Sequence, residues 1–134
     1  MTMMHVDSWV IDDWLVVVKV VGELDAYLAP AVRERVEEVL GSGAAWLLID
    51  LTEVQYIDSV GLGIMVGAAK RATERGGDLA IAASAPAVLR VFSVSGTKDL
   101  LNVCSTIAEA RAILEAGRQQ AAKAQDAEAG GGEN

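Results

Sequence analysis

A chain of 134 residues, 52% of them hydrophobic, is long enough for one buried core without metal or disulfide staples, and the lone Cys104 builds no disulfide framework. Its formal net charge of −8, with no stripe of Lys or Arg along a helix, repels nucleic-acid phosphate and argues against direct DNA or RNA binding. Apolar runs far shorter than the roughly 20 residues that span a bilayer, and a start without the basic flank of a secretory signal, lead us to expect no membrane segment and a cytoplasmic location.

Trp9–Ile11 and Trp14–Gly22 are β-rich runs separated by Asp12-Asp13, which predicts a hairpin. Val16, Val17, Val18, Val20 and Val21 make the second run apolar on both faces, so that strand is central in its sheet. Leu28, Val32, Val36, Val39 and Leu40 recur at steps of three and four among charged residues, the pattern of an amphipathic helix. Pro30 fits its first turn and Gly41-Ser-Gly43 closes it. Trp46–Leu51, interrupted only by Asp50, reads as a buried strand.

Ile57-Asp-Ser-Val-Gly-Leu-Gly63 comes next, at the mouth of a helix expected from about Val60 to Arg75. Leu62, Met65, Val66, Ala69 and Ala72 are its expected core stripe, while Gly61, Gly63 and Gly67 leave a nearly bare strip. Leu79–Ala83 predicts a strand, followed by a helix capped by Ser84, with Pro86 in its first turn and Val88, Leu89 and Phe92 facing inward. Leu100–Val103 is the last expected strand. Thr106-Ile-Ala-Glu109 has the capping-box pattern of a final helix carrying Ile107, Ala110, Ile113 and Leu114. From Gly117 onward no apolar face remains, so residues 1–116 are expected to form the domain and 117–134 a disordered tail. The order β-β-α-β-α-β-α-β-α predicts an α/β fold: a mixed, mostly parallel sheet of about five strands with about four helices.

Little catalytic chemistry is legible. His5 lies in an N-terminal segment with nothing to tune it as a base. Cys and His are too few for a metal site of that type. Glu23, Asp25, Asp50, Glu53 and Asp58 could gather at the strand ends around Mg²⁺, but solvation and turn hydrogen bonding are the commoner use of such carboxylates. Gly61-Leu-Gly63 lacks the Gly-Lys-Ser/Thr of a Walker loop. Cys104 reads as a small buried hydrophobe. The expectation is a binding module without enzyme activity, cofactor or metal. Ser59 could serve only as a helix N-cap, a role that leaves Asp58 and the paired glycines unexplained.

Gly22-Glu-Leu-Asp25 after a strand, Ile57-Asp-Ser-Val-Gly-Leu-Gly63 after another, Gly76-Gly77 before a third and Ser84-Ala-Pro86…Val91-Phe92…Ser95-Gly96 come in one order. Together, from about Val10 to Leu114, they resemble the anti-sigma-factor antagonists of the STAS superfamily. That resemblance implies a partner-switching protein. Its unmodified form captures an anti-sigma factor that is itself a serine kinase, and so frees a sigma factor. Phosphorylation at the position of Ser59 ends the capture, and a metal-dependent serine phosphatase acting on phospho-Ser59 resets it. The implied partner-binding residues are Glu23, Leu24, Asp25, Tyr56, Asp58, Ser59, Val60, Gly61, Leu62 and Gly63, with no direct contact to nucleic acid or membrane. Relatives often carry a second serine where Val60 stands, which leaves Ser59 the one hydroxyl of the motif, and many carry Thr at the position of Leu28. Two other uses of the same fold are a non-switching scaffold or sensory module, and a small-ligand or nucleotide-binding domain that holds an anion at the helix N-terminus.

Overall fold

The computed structural model describes residues 4–131. Among them the elements run β1 (His5–Ile11), β2 (Leu15–Leu24), α1 (Ala29–Gly41), β3 (Trp46–Ile57), α2 (Ser59–Glu74), β4 (Asp78–Ala83), α3 (Pro86–Val94), β5 (Val103–Cys104) and α4 (Ile107–Gly131). This is the order read from the sequence. The strands form a single mixed sheet in sequential order, β1 antiparallel to β2 and every later pairing parallel.

Sequential order determines where the helices go. Each parallel crossover is right-handed and each moves the same way along the sheet, so α1, α2 and α3 must share one face. They do: Val32, Val36, Met65, Ala69, Val88 and Phe92 pack with Val16, Val18, Val20, Leu47, Ile49, Leu79 and Ile81 in the main core. The residues between these on the strands point the other way. Leu15, Val17, Leu48, Ala80 and Ala82 would face water were it not for α4, whose Ala110 and Leu114 cover them. Burial on both faces explains why β2 reads as a valine run broken only by Lys19 before Gly22.

The hairpin turn forms as expected, with Asp12 and Asp13 both at positive φ (55° and 65°), a conformation that aspartate tolerates better than most residues. Four local expectations are corrected. The last strand is Val103–Cys104, not Leu100–Val103. Leu101 N–H bonds to Thr97 O and Val103 N–H to Lys98 O, so this segment spends its backbone groups on turns before it reaches the sheet. Ser84 does not cap α3; Ala85 holds that position with no side-chain bond. The Thr106 hydroxyl accepts from Glu109 N–H at 3.1 Å, but the Glu109 carboxylate accepts from Ser105 instead of closing the box.

Helix α4 is the fourth correction, because it does not stop near Gly117 but continues to Gly131. Gly117 passes the Trp46 ring so closely that a Cβ there would lie 3.3 Å from Cζ3. Arg118 then places its guanidinium 4.8 Å from the centroid of Trp14, itself edge-on to Trp46, and Arg111 bonds Asp12 at the hairpin tip. Beyond these anchors, Ala, Gln and Lys favour helix without needing an apolar face. Residues 132–134 of the expected tail lie outside the described residues.

Candidate functional site

Parallel pairing of β2 and β3 brings the β2–α1 and β3–α2 loops out side by side at one edge of the sheet. β3 reaches that edge with two extra residues. Lys19 pairs with Asp50 but Val21 with Glu53, and Gly22 pairs with Val54 but Leu24 with Ile57, so each register shift inserts one residue into β3. The first shift is held by the buried Asp50, whose Oδ1 accepts from Thr52 N–H at 2.9 Å and from the Thr52 hydroxyl at 2.6 Å. After it, burial falls on Leu51, Val54 and Ile57, and Gln55 and Tyr56 are both left exposed.

Asp58 follows in extended conformation and is the N-cap of α2. Its Oδ1 accepts from Val60 N–H at 3.0 Å and Gly61 N–H at 2.9 Å, satisfying two of the helix's free donors. Its Oδ2 accepts from Ala26 N–H of the neighbouring loop at 3.2 Å, and its own N–H donates to Leu24 O at 3.2 Å. The cap is therefore Asp58 and not Ser59. Ser59 is the first residue of the helix, exposed, and among the described residues its hydroxyl makes no side-chain hydrogen bond.

The two glycines of the motif, and Gly67 one turn further along α2, do different work. Gly61 is buried, and a Cβ there would press on the Leu24 carbonyl and lie 2.8 Å from Leu24 Cγ. It lets α2 start hard against the end of β2. Gly63 and Gly67 look outward with nothing within 4 Å of a Cβ, so the bare strip is theirs alone. Turning Gly61 inward also rotates the core stripe: Met65, Ala68, Ala69 and Ala72 are buried, whereas Leu62 and Val66 are half-buried.

At the end of β2, Glu23 is exposed and Leu24 is fully buried. Asp25 orders the turn that leads into α1, its Oδ1 accepting from Tyr27 N–H and Leu28 N–H, both at 3.1 Å. Thus Glu23, Tyr56, Ser59, Val60 and Gly63 reach solvent at one edge, Asp25 and Asp58 organise its loops, and Leu24 and Gly61 pack inward. Tyr27 was missed by sequence reasoning although it is 78% exposed, more than Tyr56 at 50% or Val60 at 46%. The signal was available: Leu28 and Ala29 take the buried positions of the first helical turn, which leaves Tyr27 to point away.

A family model described as the STAS domain matches residues 7–110. The chain belongs to the STAS domain family. It is 40% identical over 84 residues to the anti-sigma-B factor antagonist of Listeria monocytogenes, covering 63% of this chain and 74% of that protein. The protein of the same name in Bacillus subtilis is 37% identical over 86 residues, covering 64% and 78%. Among solved structures, an anti-sigma factor antagonist from Mycobacterium paratuberculosis superposes with a TM-score of 0.77 at 25% identity, over 84% of this chain and 95% of that one. The antagonist SpoIIAA in its unphosphorylated form shares the fold at a TM-score of 0.57 and 19% identity, over 66% and 82% of the two chains. The expected fold and family resemblance are thus borne out.

In this STAS domain the acidic residues near the site are engaged separately. Asp25 and Asp58 bind backbone donors, Asp50 binds Thr52, and Glu53 pairs with Lys19. Among the described residues no group of three His, Cys, Asp or Glu comes together to hold a metal ion. A hydrogen bond from Lys19 holds the Glu53 carboxyl below its ordinary value, and the same bond raises the Lys19 ammonium. Burial raises the Cys104 thiol, whose S–H donates to Asn102 O. No described helix is long and apolar enough to cross a membrane.

Proposed function

We propose that this STAS domain is an anti-sigma-factor antagonist that works by partner switching. Unmodified, it captures an anti-sigma factor that is also a serine kinase and so releases a sigma factor. Phosphorylation of Ser59 by that kinase ends the capture, and a metal-dependent serine phosphatase acting on phospho-Ser59 restores it. The reading puts the protein in the cytoplasm. One observation carries it: the Ser59 hydroxyl stands exposed at the first position of α2 while Asp58 does the capping, so the fold does not use the hydroxyl. The printed names of its relatives support the same reading.

The physics of the switch follows from that position. A phosphoserine adds about −1.5 to −2 charge. The N-terminus of a helix tolerates an anion, so the modified domain stays folded. The same dianion stands beside Asp58 and next to Val60 at the edge shared with Tyr27 and Tyr56, where a docked partner would have to bury it. A loss of roughly 3 kcal/mol there weakens binding about a hundredfold.

The test is to incubate wild type and Ser59→Ala with each anti-sigma serine kinase of the source organism and ATP, reading mass and complex formation. One kinase should form a complex with both proteins and add a single phosphoryl group to wild type alone. No transfer and no complex with any of them would leave a scaffold and contradict the proposal.

A further inference from the structure

The position of Asp58 between two loops says more than its role as a cap. β2 ends at Leu24 and α1 begins at Ala29, so the amides of residues 25–28 need partners from outside those elements. Tyr27 and Leu28 find Asp25 Oδ1. Ala26 N–H finds Asp58 Oδ2, 32 residues along the chain. An ionised carboxylate offers about four acceptor sites, and three internal donors already use those of Asp58: Val60 and Gly61 on α2, and Ala26 on the neighbouring loop. This leaves the group little capacity for a visitor. Tyr27, next to Ala26, is 78% exposed, which leaves it little packing of its own to fix it. Leu28 anchors one side of it by burial, and the Ala26–Asp58 bond anchors the other.

We infer that Asp58 is a positioning residue: its carboxylate ties the Tyr27 loop to the start of α2, so that Tyr27 and Ser59 are presented as one preformed edge. Its part in docking is to hold Tyr27 in place, without touching the partner. The docking half of this inference rests on the function proposed above; the tether itself does not.

Two variants of the full chain separate tether from cap. Asp58→Asn keeps Oδ1 for Val60 and Gly61 but turns an N–H donor toward Ala26 N–H. Asp58→Ser keeps a cap and is too short to reach Ala26. Circular dichroism first establishes that each is folded. In hydrogen–deuterium exchange without any partner, both variants should lose protection at Ala26 by about tenfold, with exchange along α2 unchanged. Ala26 as protected as in wild type in both would overturn the tether.

The kinase that captures wild type then reads the docking half. Asp58→Asn should raise KM for Ser59 phosphorylation about tenfold at unchanged kcat, and should add little to the loss caused by Tyr27→Ala. A faster Ala26 with unchanged KM, or effects of the two substitutions that simply multiply, would overturn it. Failure of every kinase to engage wild type would sink the antagonist reading, while the exchange result would still decide the tether.

Discussion

At Gly61, Gly63 and Ser59, three residues within two turns of α2 carry three separate demands: close approach to β2, a bare outward face, and a free hydroxyl. Gly61→Ala must push the methyl into the Leu24 carbonyl and side chain, and should destabilise the domain by about 2–3 kcal/mol in urea unfolding. Gly63→Ala meets open space within a helix and should stabilise the fold by up to about 1 kcal/mol. The same substitution should weaken capture of the anti-sigma factor, because a methyl then stands on the docking strip. Unchanged affinity would place the partner elsewhere. In the sequence these glycines look equivalent. Only the position of Leu24, brought up by β2, tells them apart, just as only Asp58's own geometry shows that Ser59 is not the cap.

Helices and strands were legible wherever one period governs a whole element. The three-and-four spacing of α1 and the two-faced valine run of β2 fixed both, since each packs on its neighbours without interruption. β3 was harder because its pattern changes partway: burial is continuous from Leu47 to Leu51 and then falls on every third residue, Val54 and Ile57, as the two register shifts take hold. No local propensity announces that change. Asp50, which clips the first shift, reads in the sequence as an interruption of an apolar run or as one of several loop carboxylates, not as the clip of a bulge. The segment from Gly117 misled for a related reason: it shows no apolar face of its own, and the clearance that Gly117 gives Trp46 depends on a strand far away in sequence.

This view of α4 is testable. Leu114→Ala removes a side chain that is 1% exposed under the sheet and should cost about 2–4 kcal/mol. Deleting residues 119–134 spares Leu114, Gly117 and Arg118, and should leave the thermal midpoint within a few degrees of wild type. A large drop would mean that the distal turns of α4 support the core directly.

Over the whole molecule, sequential strand order puts three helices on one face and assigns α4 to the other, which leaves the C-terminal edge of β2 and β3 free to carry the site. A net charge of −8 suits a partner with a basic face and makes association sensitive to salt. The exposed Lys19–Glu53 pair, linking β2 to β3 near this edge, gives a pH signature. Because Glu53 titrates below its unfolded value, its contribution is present above that value and is lost as pH falls through the lowered folded one. Because Lys19 titrates above its unfolded value, the counterpart is lost only in strong alkali. Glu53→Gln should therefore lower stability slightly at neutral pH and leave it unchanged in acid, which flattens the acid limb of stability against pH.

The central claim is that one phosphoryl group on Ser59 abolishes docking and leaves the fold alone. Calorimetric titration of the anti-sigma factor with unmodified and stoichiometrically phosphorylated chain, beside thermal unfolding of each, tests it most directly. The account predicts an affinity about a hundredfold weaker for the phosphorylated chain, with a nearly unchanged unfolding midpoint. Equal affinities, or a phosphorylated chain that loses binding because it unfolds, would contradict it.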